Sequence, residues 1–441
     1  MNRTFYFLSE IEYREYLQRL LLACEVNSKD EIYIMQFKQL RKYFTFLKPG
    51  LVFLNEASFL KRDKILKMNE YGYKFILYHA ESTATYNSFQ KPHMFYDHKL
   101  LDLVENILCL GKKQKQILTK FYPRIKKKII VTGDIKYDLQ NKKYGYFLEP
   151  QVNLIKKKYK RKFILIPTNF SFATWKYINK DKLNYDPKMD RFSKYNNTEF
   201  LKWKKGEIAS NRHVYKNLFG YIKVIKLISK KFKNLDIIVR PHPVDHPEFW
   251  KNIFNQKNIF IEFSYDIKAW IKACEFSLSC ACSSVIENFF LKKNSLCYFP
   301  KFKKQHDKKF YYNICINSKS DNQLIRQIKK VINERKFYGG NLNKNYIYYD
   351  NNLSLIKKFK ILNKIDIPKT KNNWIVECYI NCIETLKYLF LKINTVEYGK
   401  DKKKWTDKHN NEYSTIIKKF NLKSGKNLKF KKIGPYITKI Y

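Results

Sequence analysis

Short apolar runs of four or five residues, each followed by a stretch with helical spacing, recur along most of this chain, and that alternation constrains its fold more than any other feature. The runs are Ile32 to Met35, Leu51 to Leu54, Lys74 to Tyr78, Ile107 to Leu110, Lys128 to Val131, Phe163 to Ile166, Asp236 to Val239, Glu275 to Leu278 and Ser295 to Tyr298. Ahead of them, Tyr13, Leu17, Leu20, Leu21 and Cys24 fall on one helical face. Strands that are apolar on both faces and return through helices read as buried parallel strands. The fold class predicted is therefore α/β, with parallel sheets covered by helices on both sides.

The chain has 441 residues, room for two such domains and an extension. The rhythm yields near residues 140 to 160 to a charged connector, NKKYGYFLEPQVNLIKKKYKRK, before a new strand begins. The expected division is 1–150, 151–335 and a C-terminal extension 336–441. Trp175 to about Lys205 is rich in Lys, Asn, Asp and Tyr without a clear period and reads as a long loop. In the extension only 374–393 reads as a convincing helix.

Lys and Arg number 88 against 39 Asp and Glu, a formal charge of +49. Such an excess suits nucleic acid, an anionic membrane surface or phosphate-rich substrates. Lys, Asn, Ile, Tyr and Phe are abundant together, the composition an A+T-rich genome produces, and no recognition-helix, zinc-finger or RNP-type signature puts the charge to work on bases. Nucleic acid is set aside. The lysine clusters 126–128, 156–160 and 402–404 are the candidates for peripheral contact with an anionic membrane.

Nine cysteines include no Cys-x-x-Cys pair, and Cys109, Cys274, Cys280 and Cys297 stand in apolar contexts, so they read as reduced core thiols. The first residues, MNRTFYFLSEIEYRE, lack the apolar segment of a signal peptide. The most hydrophobic helical stretch, Trp374 to Ile393, is interrupted by Glu377, Glu384 and Lys387. The expectation is a cytoplasmic protein, with attachment at the inner face of the membrane as the second reading.

In open parallel sheets, ligands sit outside the carboxyl ends of the strands. There the sequence places His79 and Glu81, Gly111, Thr132 with Gly133 and Asp134, Thr168 with Asn169, Arg240 with His242, and Ser279 with Ser283 and Ser284. In IIVRPHP (Ile237 to Pro243) a buried-type strand delivers a guanidinium and an imidazole, apt donors for a diphosphate, between prolines that keep the turn extended. A structural ion pair at a strand end is the alternative. In ACSSVIENFF, Ser283 and Ser284 open a helix whose N–H groups suit an anion. Capping alone also explains the Ser284-x-x-Glu287 pattern. His246 has no converging ligands in the sequence, and no metal is expected.

These residues carry a resemblance. REYLQRLLLA (Arg14 to Ala23), VTGDIKYDL (Val131 to Leu139), FILIPTNFS (Phe163 to Ser171), IIVRPHP, and the run from Asp266 through Trp270 to SSVIENFFLKKN ending at Asn294 occur in the order seen in the bacterial surface carbohydrate biosynthesis protein family. That family is related to CDP-glycerol glycerophosphotransferases and CMP-sugar transferases. In the second segment Asp134 and Lys136 replace the family's usual Asn and Arg, and at YHAES only Glu81 survives of a usually acidic sequence.

The resemblance spans roughly residues 1–330 and implies a GT-B fold, two Rossmann-like domains facing a central cleft, and a metal-independent glycosyltransferase working on a cell-surface polysaccharide or lipid-linked acceptor. The N-terminal domain would hold the acceptor and the C-terminal domain a nucleotide-activated sugar. Arg240, His242, Ser283 and Ser284 would bind the donor phosphates along one wall. Glu287, Thr168 and Asn169 would hold the ribose and nucleotide. Glu81, Asp134 or Asp138 would act as base. A CDP-polyol phosphotransferase and a non-catalytic assembly protein stay open as alternatives.

Overall fold

The computed structural model describes residues 2–26, 29–55, 61–78, 97–170, 173–174, 177, 198–243, 245–280, 282–301, 313–349, 361–362, 364–367, 369–370, 374–393, 410–434 and 437–441. The chain divides into two compact units, Met1–Gln151 with Asn343–Tyr441, and Val152–Leu342.

The first unit opens with β1 (Asn2–Leu8), then α1 (Leu17–Glu25), β2 (Glu31–Met35), α2 (Phe37–Tyr43), β3 (Leu51–Leu54), α3 (Arg62–Glu70), β4 (Lys74–Tyr78), α4 (His98–Leu103), β5 (Asn106–Cys109), α5 (Lys112–Phe121), β6 (Ile129–Val131) and α6 (Ile135–Asp138). The six strands run parallel in the order β2-β1-β3-β4-β5-β6. Chain direction across the sheet reverses between β1 and β3, which is a topological switch point. β1 escaped the sequence reading because Phe5, Tyr6 and Phe7 are buried on both faces and leave no alternation to detect. Its Tyr6 ring stacks on Tyr33 of β2 at 5.4 Å, one of many aromatic contacts in this core.

α7 (Glu149–Lys158) lies at the boundary of the units. The second unit then has β7 (Phe163–Pro167), α8 (Thr198–Lys231), β8 (Asp236–Arg240), α9 (Pro247–Ile253), β9 (Ile259–Ile261), α10 (Ile267–Ala273), β10 (Phe276–Ser279), α11 (Ser284–Phe290), β11 (Ser295–Tyr298), β12 (Ile316–Ser318) and α12 (Asp321–Glu334). All six strands are parallel in the order β12-β11-β10-β7-β8-β9, so this sheet has its switch point between β7 and β10. The loop expected from Trp175 to Lys205 needs correction at its end, where Thr198 already begins the 34-residue α8. Lys, Asn and Glu outnumber apolar residues over those first turns and hide the helical period. Cys109, Cys274, Cys280 and Cys297 are buried, and burial pushes the Cys109 and Cys274 thiols up from the usual thiol range.

The C-terminal extension adds β13 (Lys369–Thr370), α13 (Trp374–Ile393), α14 (Asn410–Ser424), β14 (Phe430–Gly434) and β15 (Ile437–Ile440). Instead of trailing off the second unit, it completes the first. β15 pairs antiparallel with β2 in the register Ile437 to Met35, β14 pairs with β15, and β13 pairs with the start of β1. Lysines 402–404 fall outside the described residues.

A buried charge cluster locks this arrangement. Lys439 of β15 lies 2.5 Å from Glu377 of α13 and 3.4 Å from Glu31 of β2, all three almost wholly buried, and Tyr33 donates to Glu377 at 2.9 Å. Burial alone would raise the Glu377 pKa, but the Lys439 ammonium, the Tyr33 hydroxyl and Lys431 outweigh it and hold the group below the usual carboxylate range. Removing one member of such a cluster strands the other in low dielectric. Glu377→Leu should destabilise the first unit by about 3 kcal/mol, while Glu377→Leu/Lys439→Met should recover more than half of that. Urea unfolding of the two variants and the parent measures both, and equal losses for single and double variant would contradict the pairing.

Candidate functional site

In the second unit, β8 and β10 flank β7 in the registers Pro167 to Arg240 and Ser277 to Leu165, which sets their carboxyl ends side by side. The segments that follow are tied together through Asp245, a residue the sequence reading passed over. Thr168 donates from its backbone N to the Arg240 carbonyl at 3.1 Å and from Oγ1 to Asp245 Oδ2 at 2.6 Å. The same Oγ1 accepts the His242 backbone N–H at 3.2 Å. Asp245 N donates to the His242 carbonyl at 2.8 Å, and Trp250 Nε1, inside α9, donates to Asp245 Oδ2 at 3.0 Å. One carboxylate thus fixes the RPHP turn to two neighbouring elements.

Asp245 is buried, and that desolvation drives its pKa up to about 6 against the pull of the Thr168 and Trp250 hydrogen bonds. Around this hub His242 is half-buried and Asn169 exposed. Arg240 is buried and its guanidinium donates to the carbonyl of Tyr265, a residue at φ 65° in the turn before α10. Left-handed backbone is disfavoured for a tyrosine, and the guanidinium bond helps hold it there.

Ser283 is the N-cap of α11 and makes no side-chain capping bond. Ser284 donates instead to Cys282 Sγ at 3.2 Å, and Glu287, four residues after the cap, is buried. The capping-box alternative for Ser284 and Glu287 does not form, because the helix starts one residue earlier than the pattern requires. With right-handed crossovers, α8 and α9 cover one face of the sheet and α10 and α11 the other. Ring contacts agree, with Phe170 against Tyr221 of α8 and Trp250 of α9, and Phe163 against Trp270 of α10. Arg240 turns toward Tyr265 just ahead of α10, the side of the sheet that α11 also covers, whereas Asp245 ties the His242 turn to Trp250 of α9.

In the first unit the corresponding edge holds Asp134. Gly133 turns the chain at φ 72°, in the left-handed region that glycine favours, and Asp134 then caps α6 by accepting from Lys136 N at 2.9 Å. Tyr78 donates its hydroxyl to the same oxygen, and Lys136 Nζ lies 3.5 Å from the other. The two departures from the family pattern thus pair with each other. A carboxylate with three donors on it serves as the cap of α6. Asp138 sits half-buried at the end of α6, and Glu81 lies outside the described residues.

Arg19 is the other group the sequence reading missed. Its side chain is wholly buried in α1, donating from Nε to the Leu8 carbonyl at 2.9 Å and from Nη2 to Asn55 Oδ1 at 2.6 Å. Its guanidinium carbon lies 4.9 Å from the Tyr78 ring centroid. Arg19 thereby joins the ends of β1, β3 and β4 across the switch point. A π-turn at Glu12–Tyr16 precedes the helix and sets its phase, and no periodicity in the sequence shows such a turn.

No family model matches the chain, and no curated protein matches its sequence. Solved structures do match. The UDP-GlcNAc 2-epimerase of Methanocaldococcus jannaschii, in complex with UDP-GlcNAc and UDP, superposes with a TM-score of 0.50 at 13% identity, covering 82% of this chain and 99% of its own. A second structure of that enzyme gives 0.50 at 12% identity, with the same two coverages of 82% and 99%. The S. aureus MnaA–UDP co-structure gives 0.49 at 14%, covering 84% of this chain and 100% of its own. At these identities the likeness is one of fold: the chain has two parallel-sheet Rossmann-like units of the GT-B class.

The Asp245 hub has a pH signature. A folded pKa of about 6 lies above the usual ~4 of an unfolded aspartate, so the folded state binds the extra proton and stability is lost as pH rises through that window. Asp245→Asn removes the charge and keeps an oxygen for Thr168 and Trp250. Relative to this variant, the parent should lose about 2 kcal/mol between pH 4 and pH 7. Urea titrations of both proteins at a series of pH values read the difference. A pH-independent gap would mean that Asp245 ionises in the native state like an exposed carboxylate.

Proposed function

We propose that this protein is a glycosyltransferase that takes a sugar from a nucleotide-activated donor and passes it to a cell-surface polysaccharide or lipid-linked acceptor. The observation that carries the reading is the second unit's switch point. There a GT-B sheet brings Thr168 and Asn169 after β7, His242 after β8, and Ser283 and Ser284 after β10 to one carboxyl edge. Ligands of open parallel sheets bind at this kind of place.

In this reading the nucleotide lies at the β7/β10 crevice with Thr168, Asn169 and Glu287 at its ribose. His242 and the hydroxyl groups of Ser283 and Ser284 face the phosphates. Donors held rigidly where negative charge grows on a leaving nucleotide lower the barrier most, because they need not reorganise as the bond breaks. Arg240, turned to the Tyr265 carbonyl, acts as a positioning residue for the RPHP turn. The acceptor hydroxyl loses its proton to a carboxylate, with Glu81, Asp134 and Asp138 as the candidates. Nucleotide sugars are also what the structural neighbours are named for, since the Methanocaldococcus jannaschii enzyme is a UDP-GlcNAc 2-epimerase crystallised with UDP-GlcNAc and UDP.

A thermal-shift panel of CMP, CDP, UDP and GDP names the donor class, because a ligand that binds only the folded state raises its unfolding temperature. With the matching nucleotide sugar and a glycan acceptor, His242→Ala should lower kcat by about 100-fold, the loss typical of one transition-state donor, with the unfolding temperature unchanged. Undiminished transfer by His242→Ala would remove the assignment. Epimerisation of UDP-GlcNAc without an acceptor, or transfer from CDP-glycerol, would replace glycosyl transfer with one of those chemistries. Indifference to every nucleotide would point to an assembly protein.

A further inference from the structure

Helix α13 divides its apolar residues between two faces, with Ile380 and Val376 against the core. Its carboxylates face the protein: Glu377 joins Lys439 and Tyr33, and Glu384 accepts from Lys42 at 2.6 Å and from the Tyr43 hydroxyl. Both glutamates are buried, as is Ile380 between them. The opposite face carries Ile375, Tyr379 and Leu386, which are 63%, 52% and 60% exposed. The positions 375, 379 and 386 share one side of a helix with about 3.6 residues per turn, so they form a stripe. Phe46, 56% exposed just beyond α2, extends the stripe with its ring 6.3 Å from that of Tyr379.

Charge of one sign frames this stripe. On one side α2, tied to α13 through Lys42, exposes Lys38, Arg41 and Lys42; on the other β14, which packs along α13, exposes Lys431, with Lys429 just before it. Neither α2 (FKQLRKY) nor β14 (FKKIG) contains a carboxylate, and those of α13's described face are turned inward.

We propose that this face of α13, with Phe46 and its basic frame, docks the protein on an anionic lipid surface. An apolar stripe that enters the acyl boundary while flanking lysines meet the headgroups is how an interfacial helix binds, each lysine adding about 1 kcal/mol near an anionic leaflet. A symmetric contact between two copies would set one basic frame against another, which like-charge repulsion opposes. No described helix is long and apolar enough to cross a membrane, so the contact lies in the plane of the interface. Lysines 126–128, which precede β6 at the opposite edge of the sheet from β14, are not part of this surface. The proposal goes beyond the transferase reading and does not rest on it, since vesicle binding is read without turnover.

The test uses the full chain with vesicles of phosphatidylcholine alone and of phosphatidylcholine mixed with phosphatidylglycerol. Co-sedimentation should occur only with the anionic mixture and weaken as salt is raised. Ile375→Asn/Leu386→Asn should reduce the partition coefficient by about tenfold or more, as expected for two apolar side chains that no longer leave water, at an unchanged unfolding temperature. In a second variant, Tyr379→Trp, the added indole should shift its emission to the blue on vesicle binding and be quenched by brominated lipid. Binding that survives the double variant with the added indole unshifted would overturn the proposal and place the contact on another basic surface. Absence of binding to either vesicle would also overturn it, as would a dimer that the double variant disperses.

Discussion

The candidate site residues of the second unit are placed by one constraint, which is that a parallel sheet buried on both faces offers ligands only its ends. In the second unit β7 is hydrogen-bonded on both sides, to β8 and to β10, and lies between the two directions in which the chain travels. Its backbone groups are consumed by the ladder and its side chains by the helices above and below, as the complete burial of Phe163 to Pro167 records. Polar residues therefore appear where the strand stops, at Thr168 and Asn169. The same holds for β1 in the first unit, where Arg19 spans the ends of β1, β3 and β4.

Buried charge then decides how these ends are held. Asp245, Asp134 and Arg19 each sit at a carboxyl edge and each satisfies several neighbours at once, so the turns they organise are defined by tertiary partners more than by local backbone preference. This changes the reading of individual residues. The guanidinium of Arg240 and the carboxylate of Asp134 look from the sequence like groups waiting for a substrate, and the fold gives each a protein partner as well, the Tyr265 carbonyl and the Tyr78 hydroxyl. A charged group near a predicted strand end is a site residue only if the fold leaves it something to bind.

The C-terminal extension shows the same ambiguity at the level of an element. Its residues contain a helix and little else that periodicity can detect, because β14 and β15 are short, lysine-rich strands whose burial depends on pairing with β2. The helix itself was legible as Trp374–Ile393. Which side of it faces inward was not, since the usual rule puts the apolar side against the core, and here Lys439, Lys42, Tyr33 and Tyr43 make the inward surface polar enough to take Glu377 and Glu384 as well.

By itself the sequence determined the class of the fold and most of its strands, because an apolar run of four or five residues bounded by helical spacing has few other uses; Leu51–Leu54, Lys74–Tyr78 and Ser295–Tyr298 were legible to the residue. It also pointed to the carboxyl ends of those strands, since the topology of parallel sheets dictates where a ligand must sit. Tertiary structure alone decided the rest: that β1 is a central strand, that residues from 343 onward complete the first unit, that Arg240 turns to the Tyr265 carbonyl, and that Asp245 ties the RPHP turn together. Those outcomes depend on partners far apart in the chain, such as Tyr33 with Glu377 or Thr168 with Asp245, and contacts of that kind leave no local period for a sequence to display.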